Sequence, residues 1–324
     1  MHKRNRKVRI LWDRVIIVAF VVIISICLII ALFWKLFGSS QKPDTNTNSS
    51  SKTDVSSIST SENTINANYD YKDVDSEEIH KGNLILVNNK IPFVIAMPDD
   101  VVSVGLSANK NYHVKDLNVS LKPEARTALI QMIDGFYADK KVTDLMVISG
   151  FRTKEYQQTL YTAALKKENA TVSALVALPG HSEHHTGYAV DFGIYNGKKE
   201  YDGTGNYAWI NENCYKYGYI WRYQTDKASI TGISNEPWHF RYVGQPHATL
   251  VSQNKFCYEE YIDYLKQFTF GKNHLKVTDL NQVKYEIYFI PVEATPTTKI
   301  PVPKGKEYSI SGNNVDGFIV TVKL

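Results

Sequence analysis

Histidine and carboxylate residues are concentrated in two short segments of the chain. Four of the nine histidines lie in these segments, which span residues 179–191 and 235–242. Imidazole and carboxylate groups are good zinc ligands, and a catalytic zinc site usually takes three protein ligands and leaves one position open. The two segments together therefore predict a metal site to which both contribute.

Strand alternation selects candidate ligands within these segments. In residues 188–192 the bulky apolar side chains share one face, and Asp191 projects to the other. In residues 238–243 the same pattern sends His239 away from the apolar face. A buried, unpaired carboxylate is costly, so Asp191 needs a cation. A metal bound by His184, Asp191 and His239 would satisfy all three; the alternative is an Asp191–arginine pair with ordinarily hydrogen-bonded histidines.

Glu236 is a candidate general base. It lies three residues before His239, and Pro237 between them favours an extended backbone at Glu236. A carboxylate there could take a proton from the attacking water and pass it to the leaving amine. Positions i and i+3 of a strand face opposite sides, so this role requires Glu236 to lie outside the regular strand. The alternative is a surface acid.

The segment Ser149-Gly150-Phe151-Arg152 follows a predicted buried strand at residues 145–149. An arginine at this turn could stabilise a developing oxyanion or bind a substrate carboxylate through its bidentate fork. Gln157, on the helix predicted to begin near Thr153, could add a hydrogen bond to a peptide substrate. A structural salt bridge and an exposed helical glutamine are the respective alternatives.

The N-terminal residues predict a membrane anchor. Val15 to Trp34 is an uncharged apolar run whose helical length, about 30 Å, matches the hydrocarbon core of a bilayer. Basic residues in 1–14 place that end in the cytoplasm. A cleavable signal peptide, the competing interpretation, would have a shorter apolar region followed by small residues. The predicted localisation is thus a single-pass membrane protein with an extracellular catalytic domain.

The remaining chain is divided by composition. Residues 35–79 are rich in Ser, Thr and Asn and predict a flexible linker. We expect a catalytic domain at 80–273 and a strand-rich extension at 274–324. The net charge is +4, of which residues 1–35 carry +6, so the rest is near neutral. A near-neutral domain has no electrostatic footprint for nucleic acid, which is therefore excluded as a partner.

The periodicity predicts an α+β fold, in which a small antiparallel sheet and flanking helices surround the zinc site. Predicted helices cover 123–137, 153–166, 206–217 and 257–268. Strands are expected at 84–87, 145–149, 188–192, 219–223, 238–243, 283–290, 308–310 and 317–323, with the Pro/Thr stretch 291–303 interrupting the last group. Cys214 and Cys257 could form a disulfide or remain as buried thiols.

Two motifs carry a family resemblance. Ser-x-His-x-x-Gly-x-Ala-x-Asp, from Ser182 to Asp191, and Glu-x-x-His, from Glu236 to His239, resemble those of VanY-type D-alanyl-D-alanine carboxypeptidases. These belong to a group of zinc peptidases that includes the VanX dipeptidases. The turn at 149–152 also resembles the family pattern. The resemblance covers about residues 80–270, outside which lie the C-terminal 50 residues.

The resemblance implies roles for individual residues. It implies one zinc ion held by His184, Asp191 and His239, Glu236 as general base and Arg152 as transition-state stabiliser, with Ser182 in contact with substrate. His185 stands where many relatives carry glutamine, and we expect it to point away from the metal.

The expected activity is removal of the terminal D-alanine from peptidoglycan stem peptides. L,D-carboxypeptidase or endopeptidase cleavage of the same stems would use the same catalytic groups. A non-catalytic wall-binding protein is the alternative from another class, but such a protein would usually have lost a ligand or the base.

Overall fold

The computed structural model describes residues 68–173, 175–197 and 199–324. In that part of the chain no helix is both long and apolar enough to cross a bilayer. The predicted anchor, residues 15–34, lies outside the described residues. The end of the predicted linker is structured instead: residues 69–75 form a strand and residues 76–80 a short 3-10 helix. Tyr69 and Val74 of this strand pack against an apolar cluster, which explains its order.

The described residues form thirteen strands and six α-helices. The strands are β1 (Tyr69–Asp75), β2 (Val102–Ser103), β3 (His113–Val114), β4 (Ser120–Leu121), β5 (Leu145–Ser149), β6 (Ala189–Ile194), β7 (Tyr219–Trp221), β8 (His239–Tyr242), β9 (Leu275–Thr278), β10 (Lys284–Pro291), β11 (Thr297–Pro303), β12 (Glu307–Gly312) and β13 (Gly317–Lys323). The helices are α1 (Pro123–Lys140), α2 (Lys154–Glu168), α3 (Ala208–Asn213), α4 (Ala228–Thr231), α5 (His247–Asn254) and α6 (Tyr258–Leu265).

A five-stranded sheet in the order β3-β5-β6-β8-β7 forms the centre of the catalytic region. The β3–β5 pair is parallel and the other pairs are antiparallel. The fold is therefore a mixture of helices and small sheets, as predicted, except that this sheet is not purely antiparallel. One face of the sheet packs against the apolar side of α1, with Leu129, Val190 and Phe240 among the buried residues.

Helix α1 begins and ends as its sequence indicates. Pro123 occupies the first turn, where its missing N–H costs no hydrogen bond. Lys141 ends the helix in the left-handed conformation, with φ of 57°, and donates its N–H to the Tyr137 carbonyl. The resulting 18-residue helix buries its apolar side chains against the sheet, and this packing stabilises the positions of β5 and β6.

A second sheet, in the order β12-β13-β10-β9, occupies the C-terminal region, and β1 pairs with β11 beside it. β10 and β13 are apolar on both faces. Ile287, Phe289 and Ile319 pack towards helices α5 and α6, whereas Tyr288 and Phe318 pack towards β11. The expected strand-rich extension is present, and it contacts the helices that follow the five-stranded sheet.

Three element predictions were wrong. Residues 84–87 are buried but form no strand, because the Leu86 N–H donates to the Asn313 carbonyl in a loop contact rather than in a ladder. The helix expected at 206–217 is divided into two 3-10 turns flanking α3. The Pro/Thr stretch contains β11, whose prolines are accommodated because it pairs only with β1 in a two-stranded sheet.

The two described cysteines are free thiols. Cys214 and Cys257 are both buried and form no disulfide. Burial raises the pKa of the Cys214 thiol to about 12 and that of Cys257 to about 11. Both thiols are therefore protonated and unreactive at neutral pH.

Candidate metal centre and active site

Two adjacent strands bring the predicted ligands together. In the antiparallel pair β6–β8, Asp191 lies directly opposite His239. His184 comes from the 3-10 turn Glu183–Thr186, which precedes β6 and ends at Gly187 with φ of 74°. One ligand atom from each of His184, Asp191 and His239 lies within 4.8 Å of the others, and all three residues are buried. The structure thus groups the three residues that the sequence singled out.

The hydrogen bonds of His184 determine which of its ring nitrogens carries a lone pair. Its Nδ1 lies 2.6 Å from the Gly150 carbonyl oxygen. A carbonyl only accepts, so Nδ1 carries the proton and Nε2 presents a lone pair. Nε2 lies 3.2 Å from Oδ2 of Asp191, which is also an acceptor. A glycine is required at 150 because a Cβ there would lie 2.2 Å from the Ser120 carbonyl oxygen.

His239 is arranged in the opposite sense, with Nδ1 facing the cluster. Its Nε2 lies 3.1 Å from Oε2 of Glu183, and its Nδ1 lies 2.8 Å from Oδ1 of Asp191. Both nitrogens face ionised carboxylates, which only accept hydrogen bonds, so without a metal the ring carries a proton on each nitrogen. A cation at the cluster would replace the proton on Nδ1 and leave the Nε2 proton directed at Glu183.

His184 Nε2, His239 Nδ1 and the Asp191 carboxylate therefore face one another, and this grouping fits a divalent cation. Ligand atoms about 2.0 Å from a tetrahedral zinc ion lie about 3.3 Å apart. His239 Nδ1 lies 2.8 Å from Oδ1 of Asp191, and His184 Nε2 lies 3.2 Å from the other oxygen, Oδ2; both separations are close to that spacing. Two imidazoles and one carboxylate are the ligand set of a catalytic zinc site with an open position.

The electrostatics of the ligands agree with this assignment. Burial and the Arg152 guanidinium lower the pKa of His184 to about 4, so its ring is neutral at pH 7. Burial alone would raise the pKa of Asp191, but His184 and Arg152 outweigh it and hold that pKa well below its usual range. Burial would likewise lower the pKa of His239, yet its hydrogen bonds to Asp191 and Glu183 raise it to about 9. A cation at the cluster would displace that proton.

Arg152 reaches the cluster from the β5–α2 turn. Its Nη2 donates to Oδ2 of Asp191, its Nε donates to Ser149 Oγ at 2.8 Å, and its Nη1 approaches Gln157 Oε1 at 3.4 Å. The alternative predicted for Arg152, a structural salt bridge, is therefore also present, because Arg152 pairs with Asp191 of the ligand cluster. The guanidinium remains partly exposed, at 15% of its side-chain surface, and lines two cavities.

Glu236 lies before β8 and outside the strand ladder, as its predicted role required. Its N–H donates to the Tyr223 carbonyl at 2.9 Å, and its carbonyl accepts from Trp221 Nε1 at 3.0 Å. Within the described residues no hydrogen bond engages its carboxylate. Burial raises the pKa of Glu236 to about 8. A divalent cation at the neighbouring ligands would lower that pKa and favour the ionised base.

The other predicted site residues are placed as follows. Ser182 caps the 183–186 turn, its Oγ accepting from the His184 N–H at 3.3 Å, and it lines the same cavity as Glu236. Gln157 is buried and donates to the Ala177 carbonyl at 2.8 Å, so it holds the 175–178 loop as well as approaching Arg152. His185 accepts from the Gly180 N–H through Nε2 and donates through Nδ1 to the Arg152 carbonyl. It therefore points away from the cluster, as expected.

Two neighbouring cavities meet at Arg152. The first, of about 340 Å³, contains the three ligands together with Ser182 and Glu236. The second, of about 590 Å³, extends from Arg152 along residues 115–119 and the start of α2. Arg152, Leu160 and Asp191 line both cavities. The two cavities therefore share a wall formed by these three residues.

The sequence did not reveal a buried ion network behind His239. It consists of Glu183, Arg222, Arg241 and Glu259, of which Glu183, Arg222 and Arg241 are almost fully buried. A signal was present, because Arg241 shares the inward face of β8 with His239 and Glu183 lies inside the first motif. The pairing of the arginines with Glu183 and Glu259 could not be predicted, because the paired residues are 37 to 58 positions apart in the chain.

Comparison with known proteins identifies relatives of the whole catalytic region. Residues 118–245 match the family model of VanY, described as D-alanyl-D-alanine carboxypeptidase. The chain is 38% identical over 267 residues to a D-alanyl-D-alanine carboxypeptidase of Enterococcus faecium, covering 81% of this chain and 80% of the relative. It is 38% identical over 162 residues to the bifunctional D-Ala-D-Ala dipeptidase and carboxypeptidase VanXYC of Enterococcus gallinarum, covering 47% and 82%.

A solved structure is similar as well. The vancomycin-resistance D,D-dipeptidase VanXYg, crystallised with a D-Ala-D-Ala phosphinate analogue, has a TM-score of 0.71 and 33% identity, covering 79% of this chain and 99% of that one. The 267 aligned residues of the Enterococcus faecium relative also exceed the span 80–270 in which the motifs lie. The similarity therefore extends beyond the span over which the motifs indicated it.

Proposed function

Because the chain belongs to the VanY family of D-alanyl-D-alanine carboxypeptidases, we propose that it removes the terminal D-alanine from peptidoglycan stem peptides with the help of one zinc ion per chain. The observation that carries this proposal is the grouping of three metal-ligand side chains beside the Glu236 carboxylate, which no hydrogen bond engages in the part of the chain that the structure describes. His184, Asp191 and His239 would hold the ion. When bound, zinc would polarise the scissile carbonyl and make water a better nucleophile.

The chain's own residues supply the proton transfer. Glu236 lines the ligand cavity and is free to accept a proton from the attacking water. The same carboxyl group can then donate that proton to the departing amino group of D-alanine. Rigid contacts of its backbone with Tyr223 and Trp221 hold it at the strand entrance. Such pre-positioning lowers the reorganisation needed in the transition state.

Arg152 supplies positive charge where negative charge develops. Its contacts with Ser149 and Asp191 fix the guanidinium at the boundary of the two cavities. From there its free N–H groups can stabilise the oxyanion that forms on the scissile carbonyl. Ser182 lies in the same cavity and can contact the substrate, whereas Gln157 supports Arg152 and the 175–178 loop.

The second cavity favours a peptide with several residues before the cleaved bond. This cavity of about 590 Å³ extends from Arg152 and Asp191 towards Lys115 and Val119, and it could accommodate the stem. The carboxypeptidase reaction releases one D-alanine and needs room on this side. Cleavage of a tetrapeptide by an L,D-carboxypeptidase, or within the stem by an endopeptidase, would use the same catalytic groups.

We also propose an extracytoplasmic location. The support is the sequence of residues 15–34, which is long and apolar enough to span a bilayer, together with the basic residues before it. Peptidoglycan stem peptides lie outside the cytoplasmic membrane, where a tethered enzyme would reach them. Fractionation of cells, followed by protease treatment of intact protoplasts, tests both points; a protein recovered in the soluble cytosolic fraction would contradict them.

The activity is tested by incubating the purified full-length protein with a stem pentapeptide that ends in D-Ala-D-Ala. We expect release of one D-alanine per peptide, loss of release in a chelator and recovery on addition of zinc. Glu236→Gln serves as the inactive variant and His185→Gln, outside the ligand set, as the matched control. Mass spectrometry of the products separates the three cuts. Undiminished activity after metal removal and in Glu236→Gln would refute the proposal.

A further inference from the structure

Glu183 is a fully buried acid next to the metal ligands. It follows Ser182 and precedes His184, and only 2% of its surface is exposed. An isolated carboxylate at such a position would be strongly destabilising. Its presence therefore requires partners, and the structure supplies a partner for each of its two oxygens.

The two oxygens of Glu183 face different groups. Oε1 accepts from Arg222 Nε at 3.1 Å and lies 3.4 Å from Arg241 Nη1. Oε2 lies 3.1 Å from His239 Nε2. One edge of the carboxylate is thus held by two guanidinium groups, and the other edge is aimed at a metal ligand.

The two arginines are themselves fixed, so they cannot follow a turning carboxylate. Arg222 donates to both oxygens of Glu259, at 2.7 and 3.0 Å. Arg241 donates to the backbone carbonyls of Asn83 and Ile85, at 3.1 and 2.9 Å. Four chain segments that are distant in sequence therefore determine the direction of Oε2 of Glu183.

We propose that Glu183 is a positioning residue that keeps the proton of His239 on Nε2 and so leaves Nδ1 free to bind the metal. The inference rests on the proposed zinc site. Nδ1 of His239 faces the ligand cluster and Nε2 faces Glu183. Once a cation replaces the proton on Nδ1, the one remaining ring proton lies on Nε2, where the Glu183 carboxylate accepts it. In known metal sites a carboxylate behind a ligating histidine fixes the tautomer and ring direction in this way.

The variant Glu183→Gln reverses this hydrogen bond with a minimal change of shape. A glutamine has one acceptor oxygen, and the donors of Arg222 and Arg241 will attract it. Its NH₂ group then faces His239 Nε2 and requires a lone pair there. The ring proton is forced to Nδ1, the atom that must otherwise ligate the ion.

Glu259→Gln is the matched control. It removes a carboxylate from the same ion network, and it weakens the bidentate pair with Arg222. It makes no contact with His239. A role of Glu183 that is only structural would be reproduced by this control, whereas the positioning role would not.

The experiment uses the full-length protein and two measurements. Nitrogen-15 NMR of the histidine rings identifies the protonated nitrogen of His239, with its signal assigned from a His239→Asn sample. Competition with a chromophoric chelator gives the affinity for zinc alone. In the parent we expect protonated Nε2 in the zinc-loaded protein. We expect Glu183→Gln to bind zinc about 10- to 100-fold more weakly than the parent, and its metal-free form to carry the His239 proton on Nδ1 and not on Nε2. In Glu259→Gln we expect the zinc affinity to change by less than threefold.

The possible results separate this inference from the function it rests on. A parent that binds no zinc overturns the proposed function and this inference together. A parent that binds zinc with Nε2 of His239 unprotonated overturns the inference alone, and this result needs no folded variant. Equal losses of zinc affinity in Glu183→Gln and Glu259→Gln, or an unchanged tautomer in folded Glu183→Gln, also overturn it.

Discussion

The strand pairs β6–β8 and β10–β13 are buried to a similar degree but differ in what their second face contains. β10 and β13 bury apolar side chains on both faces. β6 and β8 bury apolar side chains on one face and Asp191, His239 and Arg241 on the other. Burial of charge opposes folding, whereas burial of apolar surface drives it. The comparison teaches that the first pair retains costly groups for chemistry and the second pair supplies stability.

The largest effect is expected at the catalytic face. Glu236→Gln should lower kcat by about 10³-fold, equal to about 4 kcal/mol, because it removes the carboxylate that would accept the proton from water. Thermal unfolding should remain close to that of the parent, since the substitution replaces a buried acid whose pKa is already raised to about 8. The measurements are D-alanine release and calorimetry. A stable variant with full activity would break the comparison.

The converse is expected in the second pair. Phe318 is 1% exposed and packs in the cluster formed by β10, β11 and β13. Phe318→Ala should reduce the free energy of unfolding by about 3–5 kcal/mol, because it removes transfer energy and leaves a cavity. Denaturant titration measures this loss. At a temperature where the variant is folded, kcat should be unchanged, and a large fall in kcat would show that the two regions are not separable.

An acid titration sharpens the comparison further. Burial would raise the pKa of Glu183, but Arg222, His239 and Arg241 lower it to about 2, against 4.5 in an unfolded chain. This carboxylate therefore stabilises the fold fully above about pH 4.5, and its contribution of about 3 kcal/mol is lost as the pH falls towards 2. Denaturant titration of the metal-free protein at pH 6 and pH 3 measures the free energy of unfolding that is lost between these pH values. This loss should be smaller in Glu183→Gln than in the parent. Equal losses in both proteins would contradict the stabilising role of the Glu183 carboxylate.

The smallest effect is expected for charges that remain in water. Asp73 of β1 and Lys299 of β11 form an ion pair at 3.2 Å, with side chains 62% and 66% exposed. Asp73→Asn should change the free energy of unfolding by less than about 0.5 kcal/mol, because solvent screens the pair. Denaturant titration at low and high salt checks this. A larger effect would mean that exposed and buried charges do not differ as the comparison requires.

The ligands could be predicted from sequence because the strand period is local. Alternation alone separated Asp191 and His239 from the apolar residues beside them, and antiparallel pairing then brought them together. For Glu236 the sequence stated only a condition, that the base must lie outside the strand ladder, and Pro237 made an extended backbone there favourable. These features depend on neighbours within a few residues.

The parts that could not be predicted depend on distant contacts. Leu84 to Val87 has the composition of a strand, but its backbone is engaged by Asn313 and Asn314, more than 200 residues later. The partner of Glu183 was hidden for the same reason, since Arg222 and Arg241 come from separate strands. Local periodicity carries no information about such pairings.

The turn at Asn313 and Asn314 links the C-terminal sheet to the support behind the site. The Asn314 side chain donates to the Leu86 and Pro92 carbonyls, and the neighbouring Ile85 carbonyl accepts from Arg241 behind the site. Loss of the Asn314 amide would free the segment that orients Arg241, although the turn lies far from the metal ligands in the chain. We therefore expect Asn314→Ala to bind zinc more weakly than the parent in equilibrium dialysis.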